Sequence, residues 1–491
     1  MSPGGPARSN QSSRPRRDGA AIHRVGILGV GYMGLATGLA FAHRGSRVFA
    51  YDVDARVRAE LRAGRSPYHE KGLGQLVRSE SRRGRFVVVD RIEELVEHAE
   101  GIFICLPTPS KPGGGIDVGP LRTGVVSLGR ALRQVDDYRV VVVKSTVVPG
   151  TTQGLVDPLI RRYSRKTRRG LGVAFSPEFL AEGSMVQDAV YPQRVVIGSS
   201  DPRATRWLSA VYRPFDTRQF ILSPSAAELV KYASNAFLAI KVSFANEIGR
   251  LTERLDTNVD DVMEAVGGDP RIGKHFLLAG PGFGGSCFRK DLRAIVARAK
   301  ELGVRFRSAE NALTVNAEQA THVLDLVRGA APPLRHKTVA VLGLAFKAGT
   351  DDVRESRAFP IVEGLLREGA RVRVHDPVAL ANFRRDWTLH GEKASGKIAF
   401  CPSVGGALRG ADLAVLQTDW PQYRRWPSRW TARMRSPILI DLRRAIPLSV
   451  RTRAGLNVVA LGVGPDRSTR PNPRRPVDST AIGRSESTDP R

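Results

Sequence analysis

The stretch RVGILG at 24–29 runs straight into GVGYMG at 29–34 and then into an apolar helical pattern. No other part of the chain limits its fold so strongly. A buried strand, a glycine turn and a helix start, in that order, open a βαβ unit of the dinucleotide-binding kind. Gly29 permits the tight turn. Gly31 lets backbone approach a pyrophosphate and Gly34 lets the helix pack on the strand, while the helix N-terminus attracts the anion. Asp52 ends the next strand, 23 residues after Gly29. A carboxylate there accepts both ribose hydroxyls and repels a 2′-phosphate, so the expected cofactor is NAD. Arg56 nearby pulls weakly the other way, and it is counted with Tyr32 and Met33 among the cofactor residues.

Strand-like runs follow at 46–51, 86–89, 102–106, 140–143 and 173–175, alternating with helical patterns. That alternation means a parallel sheet, placed in a first domain at 22–205. A second block at 206–328 is helical. SAAE at 225–228 reads as a capping box, and a pattern free of Gly and Pro runs from Ala226 to about Ile248, with helical character as far as Leu255. A helix that long is expected to bridge the outer domains. APP at 331–333 breaks the chain. A third block at 335–463 has strands at 338–342, 371–374, 413–417 and 438–441 and a helix at 359–368. The expected fold class is α/β: two Rossmann-like doubly wound parallel-sheet domains joined by a central helical domain with a long connecting helix. Residues 1–21 and 464–491 are rich in Pro, Ser and Arg and read as disordered tails.

The formal net charge of +28 raises the question of a polyanionic partner. The tails carry only +3 and +2 of it, and 63 of the 76 basic residues are Arg. An Arg excess spread along the chain, without a concentrated patch interleaved with aromatics, argues against a nucleic-acid partner. No apolar run of 18 or more residues exists, so no membrane span is expected. Three cysteines are too few for a disulfide framework, which points to a reducing cytoplasm.

One of the three stands apart. GPGFGGSC at 280–287 precedes a helical pattern from Phe288 to Leu302, so Cys287 falls at a helix N-terminus, where the dipole favours thiolate. Lys290 and Asp291 lie on its helical face, the lysine as a further thiolate-favouring cation and the carboxylate as a group to position water. Cys105 lies in a strand and reads as core; Cys401 has no chemical neighbours. Lys231 and Asn235 are four apart on the long helix and share a face. Lysines are scarce, 13 in all, yet Lys144, Lys231, Lys290 and Lys347 all fall in motif-like segments, where a compact ammonium is wanted.

These segments resemble the UDP-glucose/GDP-mannose dehydrogenase family. The resemblance covers about residues 22–463, in the family's order: GVGYMG with Asp52, LPTPS at 106–110, KSTVVPGT at 144–151, SPEFLAEG at 176–183, PQRVVIG at 192–198, AAELVKYASNAFLAIKVSFANE at 226–247, RIGKHFLLAGPGFGGSCFRKD at 271–291, GLAFKAGTDDVRES at 343–356 and VHDP at 374–377. It implies an N-terminal NAD domain, a central dimer interface, a C-terminal domain that closes over the nucleotide-sugar, and oxidation of the sugar C6 alcohol to a carboxylate with two NAD⁺ reduced. Cys287 would form a thiohemiacetal and then a thioester. Lys231 and Asn235 would stabilise the oxyanion, Asp291 and Thr146 would organise water, and Glu178 would be the acid/base carboxylate. Thr108, Thr146, Glu182 and Arg354 would join the NAD site. Phe179, Leu180, Phe276, Phe283, Gly284, Lys347 and Arg443 would line the nucleotide-sugar site with Glu178, Lys231 and Asn235. Arg271 would reach the substrate of a neighbouring subunit, so a homodimer or higher oligomer is expected. No metal is implied.

Departures from the family pattern are Arg289, where bacterial members often carry Pro, the LPTPS turn and Ala348. None removes a catalytic group. SPEFLAEG resembles the branch that acts on UDP-glucose or GDP-mannose. UDP-glucose, giving UDP-glucuronate, is therefore the first expectation, GDP-mannose the second and a UDP-N-acetylhexosamine the third. A non-catalytic NAD-binding scaffold would lack the Cys, Lys or Asn, and all three are present.

Overall fold

The computed structural model describes residues 22–390 and 398–464. Both expected tails, apart from Gly464, lie outside the described residues.

The first unit is one eight-stranded sheet, built from β1 (Arg24–Leu28), β2 (Arg47–Tyr51), β3 (Phe86–Val88), β4 (Gly101–Ile104), β5 (Arg139–Val143), β6 (Leu171–Phe175), β7 (Val195–Ser199) and β8 (Gln219–Leu222) in the order β3-β2-β1-β4-β5-β6-β7-β8. The strands from β3 across to β6 are parallel, β7 runs antiparallel to β6, and β8 is parallel to β7. Strand order reverses between β1 and β4, which opens a crevice at their carboxyl ends. β4, β5 and β6 are buried along their whole length, because helices cover both faces of the sheet. The unit runs past the expected boundary at 205: helix Pro202–Tyr212 packs against β7, and β8 pairs with β7 from Val195↔Gln219 to Gly198↔Leu222. β8 is a short, half-exposed edge strand and carries little apolar pattern.

The long helix is Pro224–Thr252. Its cap is Ser223, whose hydroxyl accepts from Ala226 N, and Pro224 occupies the first turn, where its missing N–H is no loss. The capping box expected at 225–228 is therefore not formed. Glu228 instead turns inward and accepts from Gly150 N at 2.6 Å, Thr152 N at 2.8 Å and the Thr152 hydroxyl at 2.6 Å. The helix bridges the outer units as expected: it starts against β7, and near its far end the Thr252 hydroxyl donates to Gly462 O at 2.8 Å. Helices Phe288–Glu301 and Arg307–Ala330 pack beside it.

The third unit is a six-stranded, wholly parallel sheet of β9 (Thr338–Leu342), β10 (Arg371–His375), β11 (Ile398–Phe400), β12 (Leu413–Leu416), β13 (Ile438–Asp441) and β14 (Asn457–Ala460), in the order β11-β10-β9-β12-β13-β14. Its central strands β9 and β12 are fully buried.

Candidate active site

The glycine loop has the geometry a dinucleotide needs. Gly29 sits at φ +92°, and a Cβ there would lie 2.8 Å from Cys105 O. A Cβ on Gly34 would lie 2.0 Å from Gly29 O, so the helix packs as closely as expected. A Cβ on Gly31 would meet no protein atom within 4 Å. The open side of Gly31 and the uncapped N-terminus of helix Tyr32–His43 together form a cradle for an anion. Asp52 is half-buried at the end of β2. It accepts Val30 N at 2.7 Å on one oxygen and Asp54 N at 3.0 Å on the other, which leaves lone pairs for ribose hydroxyls. Tyr32 packs at a tilt against Tyr68 with ring centroids 4.5 Å apart. Arg56 pairs with Asp54 at 3.0 Å and points into solvent, apart from the Asp52 carboxylate.

Five of the six residues expected to do chemistry converge from three elements. SPEFLAEG follows β6 and brings Glu178 to the long helix, where its carboxylate meets Lys231 Nζ at 2.8 Å and accepts Leu180 N at 2.6 Å. One turn further along, Asn235 donates to Asp291 at 2.7 Å. Asp291 is buried in the first turn of helix Phe288–Glu301, whose N-cap is Cys287. Phe179 lies between Arg194 and Lys231, at 4.1 and 5.7 Å from its ring centre. Thr146, the sixth, presents its carbonyl to the Thr108 hydroxyl at 2.8 Å, which ties two turns of the cofactor side together.

Charge differs from the expectation in one respect. Lys290 does not serve the thiol; its ammonium pairs with Asp291 at 2.5 Å. Cys287 is open to solvent as a residue, yet protein crowds its thiol. Burial and the Glu178 carboxylate push the thiol up, Lys231 pulls it down, and Asp291 adds to the rise. The net direction is upward, opposite to the one that the helix terminus alone suggests. Burial alone would raise Glu178, but the Lys231 ammonium and the Leu180 N–H outweigh it and hold the carboxyl below its usual range. Lys231 is held above its ordinary value: burial opposes its charge, and Glu178, Asp291 and Cys287 favour it.

The third unit reaches this centre through the loop after β9. Gly285 N donates to Arg354 O at 3.0 Å, Arg357 Nε donates to Pro281 O at 3.2 Å, and Arg289 pairs with Glu355. Arg289 thus fastens the Cys287 loop to the third unit. Glu182 bridges the units: it accepts from Ser286 at 3.4 Å, from Arg354 at 3.3 Å and from Thr350 at 3.4 Å. Burial and the neighbouring Asp352 raise its carboxyl to about 7. Lys347 is half-buried nearby, and burial lowers its ammonium below the ordinary value. Arg443 donates to Gln417 O at 2.9 Å beside Gly280. Phe276, at φ +67°, and Phe283 both pack on Phe288, with centroids 6.0 and 5.8 Å away, and Gly284 admits the Glu355 backbone, where a Cβ would lie 2.5 Å from Glu355 O. Arg271 stays outside, exposed and paired with Asp269 at 2.6 Å.

Sequence reasoning missed the residues that shape the Cys287 loop. Asn246 accepts Gly280 N at 2.8 Å, Asn316 accepts Phe283 N at 2.7 Å, and Gln319 donates to Gly280 O at 2.8 Å. All three are buried amides on helices, and a buried amide in a helical apolar pattern was the signal available.

Fold and site together define an NAD-dependent dehydrogenase built from two dinucleotide-type units. The chain belongs to the UDP-glucose/GDP-mannose dehydrogenase family: it matches that family's NAD binding domain over 23–216, its central domain over 225–318 and its UDP binding domain over 340–447. It is 39% identical to a UDP-glucose 6-dehydrogenase of Haloferax volcanii over 443 residues, 89% of this chain and 99% of that protein. Among solved structures it is similar to a UDP-glucose dehydrogenase of Pyrobaculum islandicum, with a TM-score of 0.82, 37% identity, and 92% and 98% of the two chains covered. It is also similar to a UDP-D-ManNAc dehydrogenase of Pyrococcus horikoshii, with a TM-score of 0.76, 28% identity, and 89% and 99% covered.

Proposed function

We propose that this chain oxidises the C6 alcohol of UDP-glucose to the carboxylate of UDP-glucuronate. The observation that carries this reading is the convergence of the Glu178–Lys231 and Asn235–Asp291 pairs beside a cysteine at the junction of two nucleotide-type units. NAD⁺, held by Gly31, the N-terminus of helix Tyr32–His43 and Asp52, supplies the hydride acceptor for both oxidations. At the aldehyde stage Cys287 Sγ adds to C6. Its proton passes to Glu178, which Lys231 keeps ionised, and Lys231 and Asn235 hold the oxyanion of the thiohemiacetal. The second oxidation leaves a thioester. Water beside Asp291 breaks the C–S bond, releasing the carboxylate and returning the thiol. Covalent capture keeps the aldehyde from leaving between the two steps.

The active unit in this reading is at least a homodimer. Phe237, Phe244 and Leu251 are exposed at seven-residue spacing on the long helix, an apolar stripe that a second copy would cover. Arg271, exposed nearby in sequence, would then face the partner's substrate. All three cysteines are free, which suits a reducing cytoplasm, and among the described residues no helix is long and apolar enough to cross a membrane.

The test is NADH formation with UDP-glucose, GDP-mannose and two UDP-N-acetylhexosamines. The expected outcome is a kcat/KM for UDP-glucose at least tenfold above the others. Preference for an N-acetylhexosamine or for GDP-mannose would move the substrate assignment.

A further inference from the structure

Three of the four lysines in motif segments have a place in or against the site: Lys231 on Glu178, Lys290 on Asp291, and Lys347 near Glu182. Lys144 touches none of the chemistry. It directly follows β5 and is only 5% exposed. Its ammonium donates to Ser176 O at 3.2 Å, Pro177 O at 3.1 Å and the Tyr212 hydroxyl at 3.3 Å. Tyr212 also meets the Ser176 hydroxyl at 3.2 Å.

A buried ammonium resting on neutral oxygens is costly, and a Met would fill the same space without charge. The acceptors show what the charge serves. The Ser176 and Pro177 carbonyls belong to the two peptides that lead directly into Glu178. Fixing both peptide planes fixes where the Glu178 side chain begins, and its far end is set by Lys231 and Leu180 N. Glu178 thus stands between two buried cations from different elements: Lys231 of the long helix in contact, and Lys144 of the sheet behind its backbone. The other titratable groups beside it are Cys287, at the start of helix Phe288–Glu301, and the buried Cys105, just after β4, which lies near Lys144 as well; Asp291 faces Lys231 and Cys287. In a chain with 63 Arg and 13 Lys, a lysine here is also a matter of shape. A planar guanidinium does not fit a pocket built for a compact ammonium with three convergent acceptors.

We propose that Lys144 is a positioning residue for the oxidation: through the Ser176 and Pro177 carbonyls it holds Glu178 against Lys231, and through its charge it keeps that carboxylate ionised. The inference rests on the dehydrogenase reading of the site.

The test compares full-length wild type with Lys144→Met, Lys144→Arg and Tyr212→Phe by kcat, KM, the pH profile of kcat, and thermal melting. Lys144→Met is expected to lower kcat about tenfold or more, with both KM values within about threefold. It should also move the acidic limb of kcat up by about one pH unit, because an opposite charge near Glu178 is gone. Lys144→Arg keeps the charge and loses the fit, so kcat falls and the limb stays. Tyr212→Phe removes one neutral partner and lowers kcat by roughly twofold to fivefold, with the limb unmoved. An unmoved limb in Lys144→Met, or wild-type kcat in that variant, overturns the proposal. If Lys144→Met does not fold, wild-type kcat in both of the other variants overturns it. A wild type that forms no NADH from any nucleotide-sugar sinks the dehydrogenase reading, whereas an active wild type with unaffected variants sinks this inference alone.

Discussion

The two sheets carry the same turn and use it in different ways. After β1, Gly29 at φ +92° donates to Tyr51 O at 2.9 Å, and Val30 N donates to Asp52 at 2.7 Å. After β9, Gly343 at φ +92° donates to His375 O at 2.8 Å, and Leu344 N donates to Asp376 at 2.7 Å. Beyond these bonds the likeness ends. Asp52 is half-buried with one further donor, Asp54 N. Asp376 is buried and also takes Ala345 N, Val378 N, Ala379 N and the Trp420 ring N–H. Its lone pairs are spent on the fold. A Cβ on Gly29 would lie 2.8 Å from Cys105 O and one on Gly343 2.5 Å from Thr418, so both turns are closed there; two residues on, the first loop has Gly31, where a Cβ would meet nothing, and the second has Ala345. The first loop leads at once into a helix with open N–H groups. The second continues irregularly to helix Ala358–Arg367 and grips the Cys287 loop instead. The same strand–turn–acid unit is thus a ligand seat where the acid has lone pairs to offer and a structural bracket where it has none.

Paired substitutions sharpen this contrast. Gly343→Ala puts a side chain against Thr418 at a left-handed backbone angle and should destabilise by about 3 kcal/mol or more, read as a melting temperature lower by roughly 6 °C or more. Gly31→Ala, at the open position two residues past Gly29, should melt within about 1 °C of wild type and instead raise KM for NAD⁺ about tenfold, since the added methyl fills only the anion cradle. Asp376→Asn turns an amide against N–H donors and should destabilise by about 2–3 kcal/mol. Asp52→Asn should cost about 1 kcal/mol or less in stability but weaken NAD⁺ binding by roughly tenfold and narrow the preference over NADP⁺. Equal stability losses in the two aspartate variants would break the comparison.

A smaller effect is expected where the units meet. The Cys287 thiol is held up in part by the Glu178 carboxylate and pulled down by Lys231. Glu178→Gln should therefore raise the thiolate fraction at pH 7.5 and speed alkylation of Cys287 by iodoacetamide about threefold to tenfold, and Lys231→Met should slow it. Alkylation of the wild type should rise only above the ordinary thiol range, the sign that follows from an elevated thiol.

The strands were legible because β1, β4, β5 and β9 are continuous apolar runs, which only burial on both faces explains. The start of the long helix was not, because Pro224 reads as a breaker although it fits the first turn. β8 escaped because an edge strand with exposed positions has no clean alternation. The members of the site were legible as motifs, but their charge states were not. Lys290 lies three residues from Cys287 in sequence, yet it pairs with Asp291, while the groups that set the thiol, Glu178 and Lys231, arrive from other elements. The place of Lys144 depends on partners 32, 33 and 68 residues away. Local pattern cannot report such partners, and only the fold brings them together.

The central claim is that one cysteine carries the sugar between two oxidations. The most direct measurement is the ratio of NADH formed to UDP-glucose consumed, with the product identified, in wild type and in Cys287→Ser. The account predicts about two NADH per sugar and a carboxylate product in wild type, and a stall after about one NADH equivalent per site in the variant. Full turnover to the acid in Cys287→Ser, or one NADH per sugar in wild type, would contradict it.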